Sequence, residues 1–168
     1  MFKKILIPTD GSVLSNQAAA AGIALAKQLG AEVVGIFVAR KDQDPAFDFS
    51  GLALESATSP AEYKKIVAAA GNNLMKPLRD AAEKAGVKFS KLIKISNAPA
   101  DQIVKAAEEN ECDMIFICSH GSAGWASILL GSVAAKVMAL SQVPVTIYKI
   151  KKTQLPKKAK INIGFLPV

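Results

Sequence analysis

The sequence predicts a single α/β domain built on a doubly wound, five-stranded parallel sheet, with strand order 3-2-1-4-5 and helices on both faces. Short apolar runs of strand length alternate with longer segments of helical periodicity along most of the 168 residues. Two of these runs, around Leu6 and Ile115, are almost wholly apolar, which is typical of strands buried on both faces. Because crossovers between parallel strands are right-handed, this alternation predicts a doubly wound sheet.

The first strand is predicted over residues 4–8, where an apolar run ends at the turn residues 8–12. Ser12 or Ser15 is expected to cap the alanine-rich helix that follows, and Gly30 stands where a left-handed residue ends a helix. A second strand is predicted over residues 33–39.

Residues 40–58 carry Asp, Pro, Gly and Ser without a clear period, which predicts a long loop that either covers a site or is mobile. The tetrapeptide 59–62, Ser-Pro-Ala-Glu, is a capping box with proline at the first helical position. It predicts a helix running toward Gly86 that is bent or broken near Pro77. A third strand is predicted over residues 87–96.

The remaining elements follow the same alternation. Asn97-Ala98-Pro99 predicts the start of a third helix that ends near residue 110. Residues 113–118 predict a fourth buried strand, and Gly131-Ser132 opens a fourth helix that ends near residue 141. The last strand is predicted over residues 143–148, and its proline, Pro144, places it at an edge of the sheet.

Composition excludes several classes of protein. The chain contains no apolar run of about 18 residues, and its Met-Phe-Lys-Lys start lacks the features of a cleavable signal, so we expect a cytoplasmic protein without a membrane span. Cys112 and Cys118, with a single histidine, are too few for a structural zinc site. We expect both thiols to be small buried hydrophobes and expect no metal site.

Charge divides the chain into a domain, residues 1–150, and an extension, residues 151–168. Residues 114–168 hold seven lysines and no acid, which equals the net charge of +7, and six of those lysines lie between residues 149 and 160. This basic segment is either a solvated tail or an electrostatic contact for an anionic partner. The apolar residues that follow it predict packing on another surface, such as a partner subunit: Ile161, Ile163, Phe165 and Leu166.

Two polar turns mark a candidate site. In doubly wound sheets the ligand crevice lies beyond the carboxyl ends of the strands, where the strand order reverses, and here that place is between strands one and four. The turn 8–12 follows strand one, and Ser119-His120-Gly121 follows strand four. Gly131-Ser132 then places a bare amide and a hydroxyl at a helix N-terminus, which favours phosphate, although Ser132 alone is equally typical of an N-cap.

The same segments resemble the universal stress protein family across residues 3–149. The resemblance rests on Lys-Ile-Leu-Ile-Pro-Thr-Asp-Gly-Ser at 4–12, Ser-His-Gly at 119–121, Leu-Leu-Gly-Ser-Val-Ala at 129–134 and Pro-Val-Thr-Ile at 144–147. The nucleotide-binding branch of the family has Gly-x-x-Gly, nine residues, then Gly-Ser or Gly-Thr. This chain has Cys118-Ser-His-Gly121, nine residues, then Gly131-Ser132.

The resemblance implies an adenine nucleotide, ATP or AMP, with any divalent cation held through its phosphates. Asp10 is expected on the ribose or adenine side, and Val38 is expected to line the base. Pro8 and Thr9 are expected to shape the floor of the site. The positions that this resemblance assigns to phosphate are Gly121, Gly131, Ser132 and Val133. The complete set assigned to the nucleotide is Pro8, Thr9, Asp10, Val38, Cys118, Ser119, His120, Gly121, Gly131, Ser132 and Val133.

Cys118 departs from the family pattern, since it places a side chain where the pattern has glycine. We expect nucleotide binding to be retained but weakened. The alternative is a nucleotide-free dimeric scaffold that engages protein partners. The resemblance also implies a homodimer through the last strand, and an edge strand over Val145 to Tyr148 suits that role.

Other activities are disfavoured. Ser119 and His120 are neighbours, but adjacent residues leaving a strand are expected to point apart, and the sequence has no Gly-x-Ser-x-Gly elbow. No Gly-Lys-Ser/Thr follows a glycine-rich loop, so rapid ATP hydrolysis is not expected, and we assign no catalytic residue. Nucleic acid is not an expected partner, because no aromatic residues lie between the lysines of the extension.

Overall fold

A computed structural model describes residues 2–40, 59–120 and 130–149 of the chain. Five parallel strands form one sheet in the order β3-β2-β1-β4-β5, which confirms the predicted topology. The strands are β1 Lys4–Pro8, β2 Glu32–Ala39, β3 Phe89–Ile95, β4 Met114–Cys118 and β5 Val145–Tyr148.

Five helices lie on the two faces of this sheet in the described part of the chain. They are α1 Val13–Leu29, α2 Pro60–Leu74, α3 Lys76–Ala85, α4 Pro99–Glu109 and α5 Ser132–Leu140. Helices α1 to α3 pack on one face, here called the α1 face, and helices α4 and α5 pack on the other, the α5 face.

The central strand β1 is buried on both faces. Ile5 and Ile7 pack with Ile23 of α1 on the α1 face. Leu6, which points the opposite way, packs with Ile103 of α4 on the α5 face. All three β1 side chains are at most 1% exposed, so strands β1 and β4 are held rigidly at the middle of the core.

The helix predicted from residue 60 onward is broken into α2 and α3. Ser59 caps α2, and its side chain accepts a hydrogen bond from the Glu62 amide at 3.2 Å. Pro77 has no N–H to donate to the carbonyl four residues earlier, so α2 ends just before it and α3 begins. The break turns Met75 into the core, where it is 1% exposed.

Capping contacts set the two ends of α1 and the C-terminal end of α3. Ser12, rather than Ser15, caps α1 by accepting from the Ser15 amide at 3.2 Å, and Gly30 ends that helix with a φ of 65°. The third strand is shorter than predicted and begins at Phe89. Val87 belongs instead to the end of α3, because its amide donates to the Ala82 carbonyl at 2.9 Å.

The predicted loop beyond Arg40 and the extension 151–168 lie outside the described residues. Among the described helices, none is both long enough and apolar enough to cross a membrane.

Candidate functional site

The sheet brings the two polar turns to neighbouring positions. Strands β1 and β4 are adjacent, with Ile5 opposite Met114 and Leu6 opposite Ile115. Continuing this register places Asp10 opposite Ser119, at the carboxyl end of both strands. The described pairing between β1 and β4 stops at Leu6, whereas β1 pairs with β2 as far as Pro8. This end of the β1–β4 pair is where the strand order reverses, the place at which doubly wound sheets bind ligands in a crevice.

Thr9 holds the first turn in place through its hydrogen bonds. Its side chain is buried, and its hydroxyl lies 3.1 Å from the Ser15 hydroxyl of α1 and accepts from the Gly11 amide at 3.1 Å. Its own amide donates to the Ile36 carbonyl of β2 at 2.9 Å. Thr9 therefore ties β1, β2 and the start of α1 together, and half-buried Pro8 precedes it at the end of the strand.

Asp10 lies at the exposed rim of the same turn. One carboxylate oxygen accepts from the Ser12 amide at 3.0 Å, which makes an Asx turn and fixes the carboxylate at the mouth of the crevice. Gly11 follows with a φ of 76°, and a Cβ at this position would collide with the Leu74 side chain of α2. The turn needs glycine for both reasons.

Asn16, which was not among the predicted site residues, supports the first turn. Its side-chain Nδ2 donates to the Gly11 carbonyl at 3.3 Å, so it supports the first turn from α1. Its Oδ1 is buried and has no hydrogen-bond partner among the described residues. The only sequence signal was an amide residue four positions after the N-cap, which is not specific enough to predict this contact.

The second turn is closed by a backbone contact. Ser119 is 5% exposed, and its amide donates to the Tyr148 carbonyl of β5 at 3.0 Å. Its carbonyl accepts from the Gly131 amide at 2.8 Å, so the residues on either side of segment 120–130 are held together. A Cβ on Gly131 would stand 3.0 Å from that carbonyl oxygen, and glycine therefore permits the close approach.

Helix α5 begins at this contact without a side-chain cap. Gly131 is the N-cap residue, and because glycine has no side chain the N-cap offers no side-chain hydrogen bond to the first turn. The hypothesis that Ser132 is merely the N-cap is therefore wrong, because Ser132 is the first helical residue and is exposed. The amides of the first turn have no partner within a helix, and together with the helix dipole they form a partial positive charge that favours an anion.

Cys118 is directed away from that helix start. It clusters with Leu14 and Ala18 of α1, beside Tyr148, and is 6% exposed. Burial raises the pKa of its thiol, and the Asp10 carboxylate raises that pKa further, against an opposing effect of the backbone N–H groups of His120 and Ser119. The prediction of a buried, small hydrophobe is confirmed. The side chain lies on the α1 face of the sheet.

Val38 and Val133 lie on the other face. Both pack, half-buried, against the core cluster beneath α4 and α5, as Leu130 does. The structure thus brings the end of β2, which was assigned to the base, to the same face of the sheet as the start of α5, which was assigned to phosphate. Gly121 lies outside the described residues.

The orientation expected for Ser119 and His120 is wrong. The Ser119 Oγ lies 3.1 Å from the His120 Nδ1, because the chain bends at Ser119 and the alternation of the strand does not continue. In an activated serine the base is oriented by a third group on its second nitrogen. Here the serine itself occupies Nδ1, where that orienting group usually binds. The contact holds the hydroxyl and the imidazole together, and the tautomer of the ring decides which of them donates the hydrogen.

Two other concavities are lined by described residues. One, of about 640 Å³, lies at the amino ends of the strands, between Phe2, Leu29 and Lys88. It is wide open and faces away from the two turns, and the Lys88 ammonium is already paired with Glu32 at 2.7 Å. The second is a groove of about 400 Å³ between α1 and the end of β5. In the described part of the chain, no three His, Cys, Asp or Glu side chains are grouped as metal ligands.

Comparison with known proteins shows the family and the fold of this chain. The family model described as the universal stress protein family matches residues 1–149. Universal stress protein MJ0531 of Methanocaldococcus jannaschii is 36% identical over 154 residues, covering 92% of this chain and 86% of its own length. The solved structure of MJ0577 superposes with a TM-score of 0.73 at 30% identity, covering 90% of this chain and 98% of that one.

More distant structures share the fold. A universal stress protein in complex with cAMP has a TM-score of 0.57 at 23% identity, covering 88% of this chain and 97% of its own. An Arabidopsis thaliana family protein with AMP bound has a TM-score of 0.63 at 15% identity, covering 92% of this chain and 95% of its own. An Archaeoglobus fulgidus protein in complex with dAMP has a TM-score of 0.52 at 18% identity, covering 88% of this chain and 97% of its own. With the family model matching nearly nine-tenths of the sequence and the predicted sheet order confirmed, the chain belongs to the universal stress protein family.

Proposed function

We propose that this protein binds an adenine nucleotide, ATP or AMP, in the crevice between β1 and β4, and that it acts in the cytoplasm as a dimeric sensor or regulator of the stress response. The observation that carries the proposal is the uncapped start of α5, held by the Gly131–Ser119 hydrogen bond beside the Asp10 turn. Residues 1–150 form the nucleotide-binding domain, and residues 151–168 are an appended segment.

The phosphates bind at the start of α5. The N–H groups of Ser132 and Val133 supply donors that the N-cap glycine does not cap, and the exposed Ser132 hydroxyl adds another. Gly131 and Gly121 allow the ligand to approach the backbone closely, and the Ser119 hydroxyl lies 3.1 Å from the His120 Nδ1 at the start of the second turn. A divalent cation is held through the phosphates, because the described residues offer no cluster of metal ligands.

The nucleoside lies toward the end of β2. Asp10 accepts a hydroxyl or amino hydrogen from the ribose or adenine, Val38 contacts the base, and Pro8 with Thr9 forms the floor. The substitution of glycine by Cys118 is tolerated because the thiol packs with Leu14 on the α1 face, whereas Val38 and Val133 lie on the α5 face. Binding is therefore retained.

The nucleotide complexes of related structures support this ligand class. Their ligands are cAMP, dAMP and AMP, and all three contain adenine, a pentose ring and one phosphate. The start of α5 suits the single phosphate, and the Asp10 carboxylate at the rim suits the sugar or the adenine. We propose binding rather than turnover, since no Gly-Lys-Ser/Thr follows a glycine-rich loop in the sequence.

The homodimer forms through the outer edge of β5. The carbonyls of Pro144 and Tyr148 accept hydrogen bonds from β4. Because successive residues of a strand direct their backbone groups to alternate sides, the N–H and C=O groups of Val145 and Ile147 face away from β4, at the end of the sheet. An exposed row of backbone donors and acceptors pairs readily with the same row of a second copy.

The test is to denature purified protein, identify any released nucleotide, and titrate the emptied protein with AMP and ATP by calorimetry. We expect binding below millimolar ligand. Asp10→Ala should bind the nucleotide about tenfold more weakly, because it loses a hydrogen bond to a charged carboxylate. Asp10→Asn is the matched control, since it keeps the Asx turn to Ser12. No binding by a dimer at millimolar AMP and ATP would favour the nucleotide-free scaffold instead.

A further inference from the structure

The outward face of α1 carries a single charge. The helix has 17 residues, and the only charged one is Lys27 in its last turn. Helices α2, α3 and α4 carry three, five and four charged residues, whereas the shorter α5 carries one. An outward face without charge over its first three turns is unusual for a surface helix. This face is formed by Val13, Gln17, Ala20, Ala24, Lys27 and Gln28.

Apolar surface is exposed on this face. Val13 is 51% exposed, and it is one of only three large hydrophobic side chains exposed among the described residues. Along the same side of α1, a groove of about 400 Å³ is lined by Gln17, Ala20, Ala21 and Tyr148. Uncharged, small side chains beside a groove leave room for apolar side chains from another segment.

The groove lies where the C-terminal extension leaves the domain. Tyr148 closes the groove and is the last residue of β5, so Lys149 and the extension begin beside it. The extension carries alternating apolar residues in the segment Ile-Asn-Ile-Gly-Phe-Leu at 161–166. Alternation of this kind is typical of an extended segment with one apolar side.

We propose that residues 161–166 of this chain bind across the outward face of its own α1, in the groove that Tyr148 closes. The lysine-rich residues 151–160 connect the domain to this segment. They need no ionic contact with α1, because that helix contains no acidic residue. The partner is thus an apolar segment of the same polypeptide. This proposal is independent of nucleotide binding.

Chain length allows the contact within one molecule. The 12 residues from 149 to 160 span up to about 40 Å when extended. The whole of α1 is about 25 Å long, so the segment reaches every turn of the helix from Tyr148.

A pair of cysteines in the full chain tests the contact. Ala20→Cys with Phe165→Cys is oxidised mildly, and intramolecular disulfide is followed by gel mobility and intact mass without reductant. The native thiols do not compete, because Cys112 and Cys118 are 4% and 6% exposed. We expect rapid intramolecular crosslinking. Circular dichroism of the reduced protein checks that the variant is folded.

The matched control pairs Phe165→Cys with Lys65→Cys, an exposed position on α2. The tether reaches both positions, so a difference in rate reports docking rather than mere proximity. We expect crosslinking to position 20 to be at least about tenfold faster than to position 65. Equal rates would overturn the proposal, as would disulfides between two molecules, which would assign the segment to a second copy.

A second readout uses Ala20→Cys alone in the full chain. We expect its labelling by a maleimide to become several-fold faster when Ile163→Ser and Phe165→Ser are added, because the segment then loses its apolar contacts. An unchanged labelling rate would also overturn the proposal, whatever the outcome of crosslinking.

Discussion

The amide nitrogen of Gly131 lies 2.8 Å from the carbonyl oxygen of Ser119. This contact fixes the N-cap residue of α5 against the end of β4, beside the turn that carries Asp10. The proposed phosphate donors are therefore positioned by the rigid centre of the sheet, although segment 120–130 separates the two residues in the sequence.

Gly131→Ala tests the importance of this close approach. The new Cβ would stand 3.0 Å from the Ser119 carbonyl oxygen and 3.5 Å from the His120 Cα, so the helix start must shift. We expect a loss of about 1–3 kcal/mol in unfolding free energy from this overpacking, and at least about tenfold weaker AMP affinity. Urea unfolding and calorimetry measure the two effects.

Ser132→Ala is the control for Gly131→Ala. The side chain is exposed and does not cap α5, so stability should be unchanged while AMP affinity falls several-fold. If Gly131→Ala left both quantities unaltered, the close contact would have no role in the site.

Gly11→Ala separates backbone strain from side-chain collision. Gly11 and Gly30 both have positive φ, at 76° and 65°, but a Cβ on Gly30 meets nothing within 4 Å, whereas one on Gly11 collides with Leu74. We expect Gly30→Ala to cost about 1–2 kcal/mol from strain alone. Gly11→Ala should cost about 1 kcal/mol more because of overpacking. Leu74→Ala in the Gly11→Ala background should recover part of that difference in urea unfolding, and equal losses at the two glycines would contradict the contact.

Ile147→Pro tests the proposed dimer. It removes an N–H at the free edge of β5 without removing a hydrogen bond to β4, which an edge strand tolerates. We expect a folded monomer by light scattering. Ile147→Ala, which loses the side-chain packing but keeps the N–H, should stay dimeric. A dimeric proline variant would show that another surface holds the two copies.

Because the Cys112 thiol is buried, we expect the free energy of unfolding to fall at alkaline pH. Burial raises the pKa of its thiol to about 11, with a smaller raising effect of Asp113 and a lowering effect of Lys4. The folded state disfavours the thiolate, so the stabilising difference is complete below the unfolded pKa near 9 and is lost as pH rises toward about 11. Compared with Cys112→Ala, the natural protein should lose about 1 kcal/mol more between pH 8 and pH 10. Identical pH profiles of the two proteins in urea unfolding would refute this assignment.

Most of the fold could be predicted because its signals are local. The apolar runs of β1 and β4, the capping serines and Gly30 each act within a few residues, and each was confirmed in the structure. Val87 was misplaced because its β-branched side chain favours a strand, while its amide is used to close the end of α3.

The candidate site was less predictable because its decisive contacts are between distant residues. Nothing local indicates that Gly131 approaches Ser119, or that Leu74 packs against Gly11. The direction of Cys118 was predictable in principle, since it alternates with Met114 and Phe116 on the α1 face. The Ser119–His120 contact was not, because it depends on a bend that follows the strand.

Backbone NMR of the emptied protein during titration with AMP tests the central claim most directly, since each amide reports its own environment. We predict that the amides of Asp10, Gly11, Gly131, Ser132 and Val133 shift together with one saturating dissociation constant. The account would be contradicted if these amides stayed unchanged at millimolar AMP, or if the shifts appeared instead around Lys3, Lys4 and Lys88 at the opposite end of the strands.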